Sequence, residues 1–255
     1  MFDRKRRIKR GWMKLKVSKI LQDTHDTKTI ILNDLEEGGR AFDYYAGQYL
    51  TFRLDGLSEK TLVRSYTMSS SPKEKDHIAI TVKQVDPGFA SRYLCKELKV
   101  GDILLARGPI GRFVFDPDKD HKHLVMIAGG SGVTPFLSIL QEHSHLLTES
   151  SFLQQMTLLV NFKTKKDLIA WDLLQELKTK PGINILVSLS REQEKFQDCL
   201  LGRIEESLII QAVNHDFSNK TFMTCGPEPL MTTVKSILTR NNVHANCIKT
   251  ESFVN

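Results

Sequence analysis

Apolar and polar residues alternate along the first part of the chain. In Leu15–Ile20, Leu15 and Val17 are set off by Lys16 and Ser18, the period of two of a half-buried strand. Comparable segments follow at Thr29–Leu32, Tyr49–Leu54, Ser65–Ser69, His77–Val82 and Ile103–Arg107. Turn residues punctuate them: Glu37-Gly38-Gly39, Asp55-Gly56, Asp86-Pro87-Gly88 and Gly101-Asp102. One helix interrupts, Ser91–Glu97. Six short strands within residues 12–117 predict a small antiparallel barrel.

From Lys122 the rhythm changes. Strands are expected at Leu124–Ile127, Met156–Phe162, Ile183–Leu189 and Thr221–Thr224. Helices are expected at Phe136–His143, Lys166–Leu177 and Glu228–Asn241. Strands alternating with helices predict a doubly wound parallel sheet over residues 121–255. The boundary falls in the polar, Pro-containing stretch Asp116–Asp120. The fold class is therefore β followed by α/β.

Composition fits a globular protein: 255 residues, 40% apolar and 26% charged. No apolar run reaches the roughly 18–20 residues that cross a bilayer, and the N-terminus lacks a signal-peptide core, so a cytoplasmic protein is expected. The net charge of +6 is local. Residues 1–20 hold nine Lys/Arg against Asp3, a charge of +8, which leaves −2 for the rest. Residues 1–11 form a basic arm: a solvated terminus, or a weak contact for an acidic electron-transfer partner, an anionic membrane surface or nucleic acid. The run Arg4–Arg10 has no interleaved aromatics, so no specific nucleic acid is expected. Cys95, Cys199, Cys225 and Cys247 are far apart, without metal-ligand spacing; no metal site is expected.

Six stretches carry candidate chemistry. Ile127-Ala128-Gly129-Gly130-Ser131-Gly132-Val133-Thr134-Pro135 reads as strand, glycine turn and helix start. Its backbone N–H groups could meet a pyrophosphate at the helix N-terminus, although a plain tight turn reads the same. Arg64-Ser65-Tyr66-Thr67 places a guanidinium and an aromatic ring on one strand face, able to pair with a diphosphate and stack on a flat ring. An ordinary barrel strand would also look like this. Gly88-Phe89-Ala90-Ser91 is a second candidate phosphate site, or Ser91 is an N-cap. Gly108-Pro109-Ile110-Gly111-Arg112-Phe113 reads as a rigid turn closing the barrel. Cys225-Gly226-Pro227 follows a strand, where open α/β sheets bind ligands; a buried structural cysteine fits equally. Ser190-Arg191 suits a ribose 2′-phosphate, and Glu192 beside it opposes that reading.

Taken in order, and with the terminal Glu251-Ser252-Phe253, these stretches resemble the ferredoxin–NADP reductase family over residues ~12–255. The resemblance implies a six-stranded antiparallel flavin-binding barrel followed by a parallel-sheet α/β nucleotide-binding domain. It implies that Arg64 holds an FAD pyrophosphate, that Tyr66 packs on the isoalloxazine with Ser65 beside it, and that Thr67 sits by the reactive nitrogen. It adds Thr81, Val82 and Lys83, and Gly88, Phe89, Ala90 and Ser91, as cofactor-binding positions. Gly129, Gly130, Gly132, Thr134 and Pro135 would take the nicotinamide nucleotide, with Cys225, Gly226 and Pro227. Ser190, Arg191 and Arg203 would take the 2′-phosphate. Thr67, Cys225 and Glu251 would line the reacting zone. Phe253 would cover the flavin or plug the core. FAD is expected, with FMN as the alternative, and NADPH, with NADH as the alternative.

Within the family, Leu189–Gln193 and Leu200–Ile204 resemble the reductase component of phenylacetyl-CoA epoxidase and NADPH-dependent reductases serving oxygenases and desaturases. Such epoxidase-type reductases continue into a two-iron ferredoxin domain. This sequence stops at Asn255, so the acceptor is expected to be a separate iron–sulfur or haem protein, or the domain was removed. Asn161-Phe162 stands where relatives carry a glycine-bearing turn. Two further readings remain at this point: a reductase of free flavin, ferric chelates or quinones, and a non-turnover electron-transfer or redox-sensing subunit.

Overall fold

The computed structural model describes residues 11–36, 39, 42–56, 61–144, 147 and 153–253. Arm residues 1–10 and the Glu37-Gly38 part of the first expected turn lie outside the described residues. The chain divides into two compact units. One is built on residues up to Val114 with Leu137–Glu142, the other on Phe115–Phe136 and the chain from His143 onward.

The first unit holds β1 (Met13–Thr24), β2 (Thr27–Asp34), β3 (Tyr49–Leu54), β4 (Leu62–Thr67), β5 (Ile78–Lys83) and β6 (Ile103–Ile110). They form one antiparallel sheet in the order β4-β3-β6-β1-β2-β5. Alternation decides which side of each strand is buried. Met13, Leu15 and Val17 enter the core while Lys14, Lys16 and Ser18 face solvent. Ile30 and Leu32, Leu50 and Phe52, Ile78 and Ile80 complete that core. Helix α1 (Phe89–Arg92) runs on as a single π turn, Tyr93–Glu97, whose Leu94 and Cys95 join the same core. The helix expected at Ser91–Glu97 thus starts two residues earlier and is wider-wound at its end.

After β7 (His123–Gly129) comes α2 (Thr134–His143), whose Leu137–Glu142 belong to the first unit; the second unit otherwise holds β7, β8 (Gln155–Phe162), α3 (Trp171–Lys178), β9 (Ile183–Leu189), β10 (Leu200–Leu201), α4 (Glu206–Ala212), β11 (Lys220–Cys225), α5 (Glu228–Arg240) and β12 (Ile248–Glu251). All six strands are parallel, in the order β10-β9-β8-β7-β11-β12. Leu124 to Ala128 are wholly buried, as a central parallel strand covered on both faces requires. Val125, Ile127, Leu159 and Phe222 share a core with Ile209 of α4 and Val234, Ile237 and Leu238 of α5.

Four elements depart from expectation. The helix expected at Lys166–Leu177 is a short 3₁₀ turn, Lys165–Asp167, then α3. Thr164 and Asp167 form a capping box that closes the short turn, and Ala170 at φ 54° restarts the chain as a new helix. Strands β10 and β12 and helix α4 carry too little apolar periodicity to be read alone. The sheet neighbours β9 and β11 recruit the two strands.

Phe222 is fully buried in the shared core and stacks on Phe217 at 6.2 Å. Phe222→Ala is expected to lower the unfolding free energy of the second unit by about 3–5 kcal/mol. Urea unfolding of variant and parent checks it; an unchanged midpoint would refute it.

Candidate functional site

In the first unit, β4 carries the arginine and tyrosine. Arg64 is exposed, and its Nη1 donates to the Val63 carbonyl at 2.9 Å. Tyr66, two residues on, is half-buried, with its ring 6.0 Å from Phe52 and tilted by 57°. Burial pushes its phenol well above the ordinary range, so it stays neutral. Ser65 faces the other way and shares a 3.0 Å hydrogen bond with Thr51. Thr67 is buried at the strand's end. The arrangement is a cationic head and an aromatic ring on one face of a strand.

The Gly88–Ser91 stretch opens α1 with Gly88, not Ser91, as N-cap. Ser91 is buried. Its Oγ accepts from Val85 N at 3.1 Å and donates toward the Gly88 carbonyl at 3.2 Å. That hydroxyl braces its own loop. Phe89 is 68% exposed, and Ala90 is buried. A cavity of about 450 Å³ beside them is lined by Gln84, Val85, Asp86, Gly88, Arg92, Lys96 and Glu97. The side chains of Thr81-Val82-Lys83 are committed within the unit. Thr81 Oγ1 bonds to Thr29 and Ser69 at 2.8 and 2.9 Å, Val82 is in the core, and Lys83 pairs with Asp26 at 2.7 Å. Only their main chain is left for a ligand.

In the second unit, β7 and β11 lie side by side, with Ala128 opposite Cys225. The turns that leave them therefore emerge together at the carboxyl edge of the sheet. Gly130, at φ +55°, bends the chain into a 3₁₀ turn before α2, where a side chain would be strained. At Gly132 the reason is space. A Cβ there would overlap the Cys225 carbonyl and lie 2.9 Å from the Gly226 Cα. Thr134 Oγ1 donates back to the Ser131 carbonyl at 3.0 Å, and Pro135 sits in the first turn of α2. Pro227 leads into α5 and is exposed, while Cys225 and Gly226 are buried.

Strand β12 brings Glu251 opposite Cys225. Burial pushes the Cys225 thiol well up, and the Glu251 carboxylate adds to this. Cys225 is therefore a neutral thiol. Thr224 Oγ1 and Glu251 Oε2 are buried without a hydrogen-bond partner among the described residues. Burial raises the Glu251 carboxyl from its ordinary 4.5 to about 7. Neither Thr224 nor the orphaned state of Glu251 had a signal in the sequence. Phe253 is partly exposed, outside the buried core.

A second corner of the same sheet edge lies past β8 and β9. Ser190 N and Oγ both donate to the Phe162 carbonyl, at 2.9 and 3.2 Å, and Arg191 N donates to Lys163 O at 2.8 Å. Gly202 N donates to Leu189 O at 2.9 Å. Lys163, Arg191 and Arg203 are exposed. The Glu192 carboxylate beside them is engaged by the main chain: its Oε1 accepts from Lys165 N at 2.9 Å. Asn161 organises the corner, its Nδ2 reaching Ser188 Oγ at 2.8 Å, Ser188 O at 3.2 Å and Gly202 O at 3.1 Å.

Residues 14–115 match the profile of the oxidoreductase FAD-binding domain, and residues 126–236 that of the oxidoreductase NAD-binding domain. The chain is 31% identical to the NADH oxidoreductase HCR of Escherichia coli over 86% of its own length and 61% of the relative's. It is 28% identical to the ferredoxin reductase component of 3-ketosteroid-9-alpha-monooxygenase of Mycobacterium tuberculosis, over 94% and 65%. It thus spans less than two thirds of these relatives. Its fold matches the FAD/NAD-binding domain of a Vibrio cholerae nitric oxide dioxygenase with TM-score 0.82 and 24% identity, over 96% of this chain and 99% of that one. No helix among the described residues is long and apolar enough to cross a membrane.

The Glu251 carboxyl sets a pH dependence. Its value in the fold, about 7, lies above its ordinary 4.5. The native state then binds more protons than the unfolded chain across that window, so stability falls as pH rises through it. Glu251→Gln removes this loss. The variant is expected to melt higher than the parent above pH ~7 and level with it below pH ~4.5. A constant offset across a pH series of thermal melts would show that the carboxyl does not titrate there.

Proposed function

We propose, for a chain that belongs to the oxidoreductases built from a FAD-binding domain followed by a NAD-binding domain, that it takes hydride from NADPH onto FAD and passes the electrons singly to a separate iron–sulfur or haem protein. The observation that carries this reading is the paired turn of the second unit. There Gly129–Pro135 and Cys225–Pro227 approach backbone to backbone, Gly130 has open space where a Cβ would stand, and Glu251, with a buried carboxyl, lies opposite Cys225. The finer likeness to the phenylacetyl-CoA epoxidase reductase rests on Leu189–Gln193 and Leu200–Ile204 alone.

The residues present fit both groups. On the flavin side, an exposed guanidinium and a neutral tyrosine ring share one strand face. On the nucleotide side, no Cβ fills the space over Gly130, and Thr224 and Glu251 each hold an unpartnered polar atom. FAD, when bound, supplies a ring that accepts two electrons as hydride and releases them one at a time. The chain does the rest. Arg64 binds a diphosphate in a bidentate grip that a lysine would not reproduce. Tyr66 presents a flat apolar face and Thr67 a hydroxyl. The N–H groups of the Gly130–Val133 turn and the start of α2 face an anionic nucleotide. The neutral Cys225 thiol offers a small, uncharged wall. Glu251 holds a proton on its carboxyl near neutral pH.

The Ser190–Arg191 corner supports NADPH. Lys163, Arg191 and Arg203 are cations at one edge, and Lys165 N engages the Glu192 carboxylate. NADH is the second reading, favoured by the name of the E. coli relative. The acceptor protein is proposed by analogy with the reductase-component naming of the M. tuberculosis relative.

Arg64→Ala is expected to purify without bound flavin while keeping its fold; stoichiometric flavin in that variant would overturn the Arg64 assignment. Arg191→Ala is expected to raise the KM for NADPH by ~10- to 150-fold, the worth of a charge-assisted contact, and to leave that for NADH unchanged. Anaerobic titration of the flavin absorbance with each nucleotide measures this. Equal effects on both would remove the 2′-phosphate site and leave the reductase.

A further inference from the structure

A side chain laces the carboxyl ends of β8, β9 and β10. The strand order runs β10-β9-β8, so β9 stands between the other two. Main-chain bonds tie neighbouring strands. Ser190 N donates to Phe162 O and Arg191 N to Lys163 O, joining β9 to β8, and Gly202 N donates to Leu189 O, joining β10 to β9. Asn161 acts across the middle strand. It lies opposite Ser188 in the β8–β9 register. Its Nδ2 reaches Ser188 Oγ at 2.8 Å, Ser188 O at 3.2 Å and, beyond them, Gly202 O at 3.1 Å.

The orientation of this amide is forced. Ser188 O and Gly202 O are carbonyl oxygens and can only accept, so the amide atom facing them is the nitrogen; turned over, it would set oxygen against oxygen. Ser188 is wholly buried, which anchors one end of the tie. Gly202, at the other end, is exposed at φ +101°, where a side chain would be strained. The tie therefore runs from a buried strand to an exposed turn, and the next residue in that turn is Arg203.

Charge alone does not draw an anion to this edge. Residues 161–167 and 188–206 together hold six Lys/Arg against six Asp/Glu. Among those acids, Glu192 accepts from Lys165 N and Asp198 pairs with Lys178, while Glu194 and Glu205 are exposed. Selectivity for a phosphate must come from where the guanidinium groups stand. Arg191 is placed by its own main-chain bond to Lys163. Arg203 is placed through Gly202, and Asn161 is what fixes Gly202 to β8. Groups held in place before the ligand arrives lose less freedom on binding.

We propose that Asn161 is a positioning residue for the adenosine end of the nucleotide: by tying the Gly202–Arg203 turn to β8, it holds Arg203 at the edge that carries Arg191, so that both can meet one 2′-phosphate. The inference rests on the 2′-phosphate reading of this corner, and it assigns much of that selectivity to a side chain whose own bonds are all within the fold.

The test uses the flavin-loaded full chain and two probes, adenosine 2′,5′-bisphosphate and adenosine 5′-monophosphate, with binding measured by calorimetry. Asn161→Ala is expected to weaken the bisphosphate about tenfold and the monophosphate by less than about threefold. Asn161→Asp keeps the shape of the side chain but cannot donate to the two carbonyls, and it is expected to lose the bisphosphate at least as strongly. In an Arg203→Ala background, Asn161→Ala is expected to add no further loss, because the tie then holds nothing that the phosphate uses. A merely structural role would weaken both probes alike, or would add its loss to that of Arg203→Ala; either result would overturn the proposal. So would bisphosphate binding that Asn161→Asp or Arg203→Ala leaves at the parent's level. A parent that binds both probes equally would remove the 2′-phosphate site, and the role of Asn161 with it. A parent that prefers the bisphosphate, with that preference intact in Asn161→Ala, would remove the role of Asn161 alone.

Discussion

The second unit depends on how closely two turns can approach. The parallel register of β7 and β11 sets Ala128 beside Cys225, so the chain leaving one strand must clear the chain leaving the other. Only a residue without a Cβ permits this at Gly132, against the Cys225 carbonyl. Once the turns are locked together, α2 and α5 both start at the same edge of the sheet. The proposed nucleotide site would in this sense be a by-product of backbone packing. It needs few side chains, which is why such a short glycine-bearing string carries so much of it.

Beneath that opening the chain places polar groups where burial penalises them. Among the described residues Thr224 Oγ1 and Glu251 Oε2 lack partners, an arrangement that costs free energy unless a ligand or water satisfies it. The barrel shows the opposite habit. Thr81, Ser91 and Lys83 are each satisfied within their own unit. The contrast sets residues satisfied within the fold apart from Glu251, although the family resemblance implies a site role for all of Thr81, Lys83, Ser91 and Glu251.

Much of this was legible in the sequence because it is periodic. The alternation in Leu15–Ile20 and the unbroken apolar run at Leu124–Ile127 report burial on one face and on two, and the strands Tyr49–Leu54 and Ile183–Leu189 have the expected ends. What was illegible depends on neighbours distant in the chain. Strand β12 exists because β11 offers it an edge, and β10 because β9 does. The role of Glu192 depends on a partner 27 residues away, the Lys165 N–H from which its carboxylate accepts. Asn161 reads as a departure from a glycine turn, yet its amide holds Ser188 and Gly202 together. Ser91 reads as a cap, and in the fold Gly88 takes that place while the hydroxyl turns back to Val85.

Strand β4 stands at the end of the strand order, paired through its ladder only with β3. The strand that presents Arg64 and Tyr66 thus has one unladdered side among the described residues, met by β5 only just past its end, at the Met68–Ile80 bridge. Open edges are templates for pairing with other chains, and Phe89 is a large apolar side chain exposed in the same unit. A flavin lying along Arg64–Thr67 would cover that edge as well as equip the protein for catalysis. Were the flavin to lie there, chains that fold ahead of it would be the ones exposed to self-association.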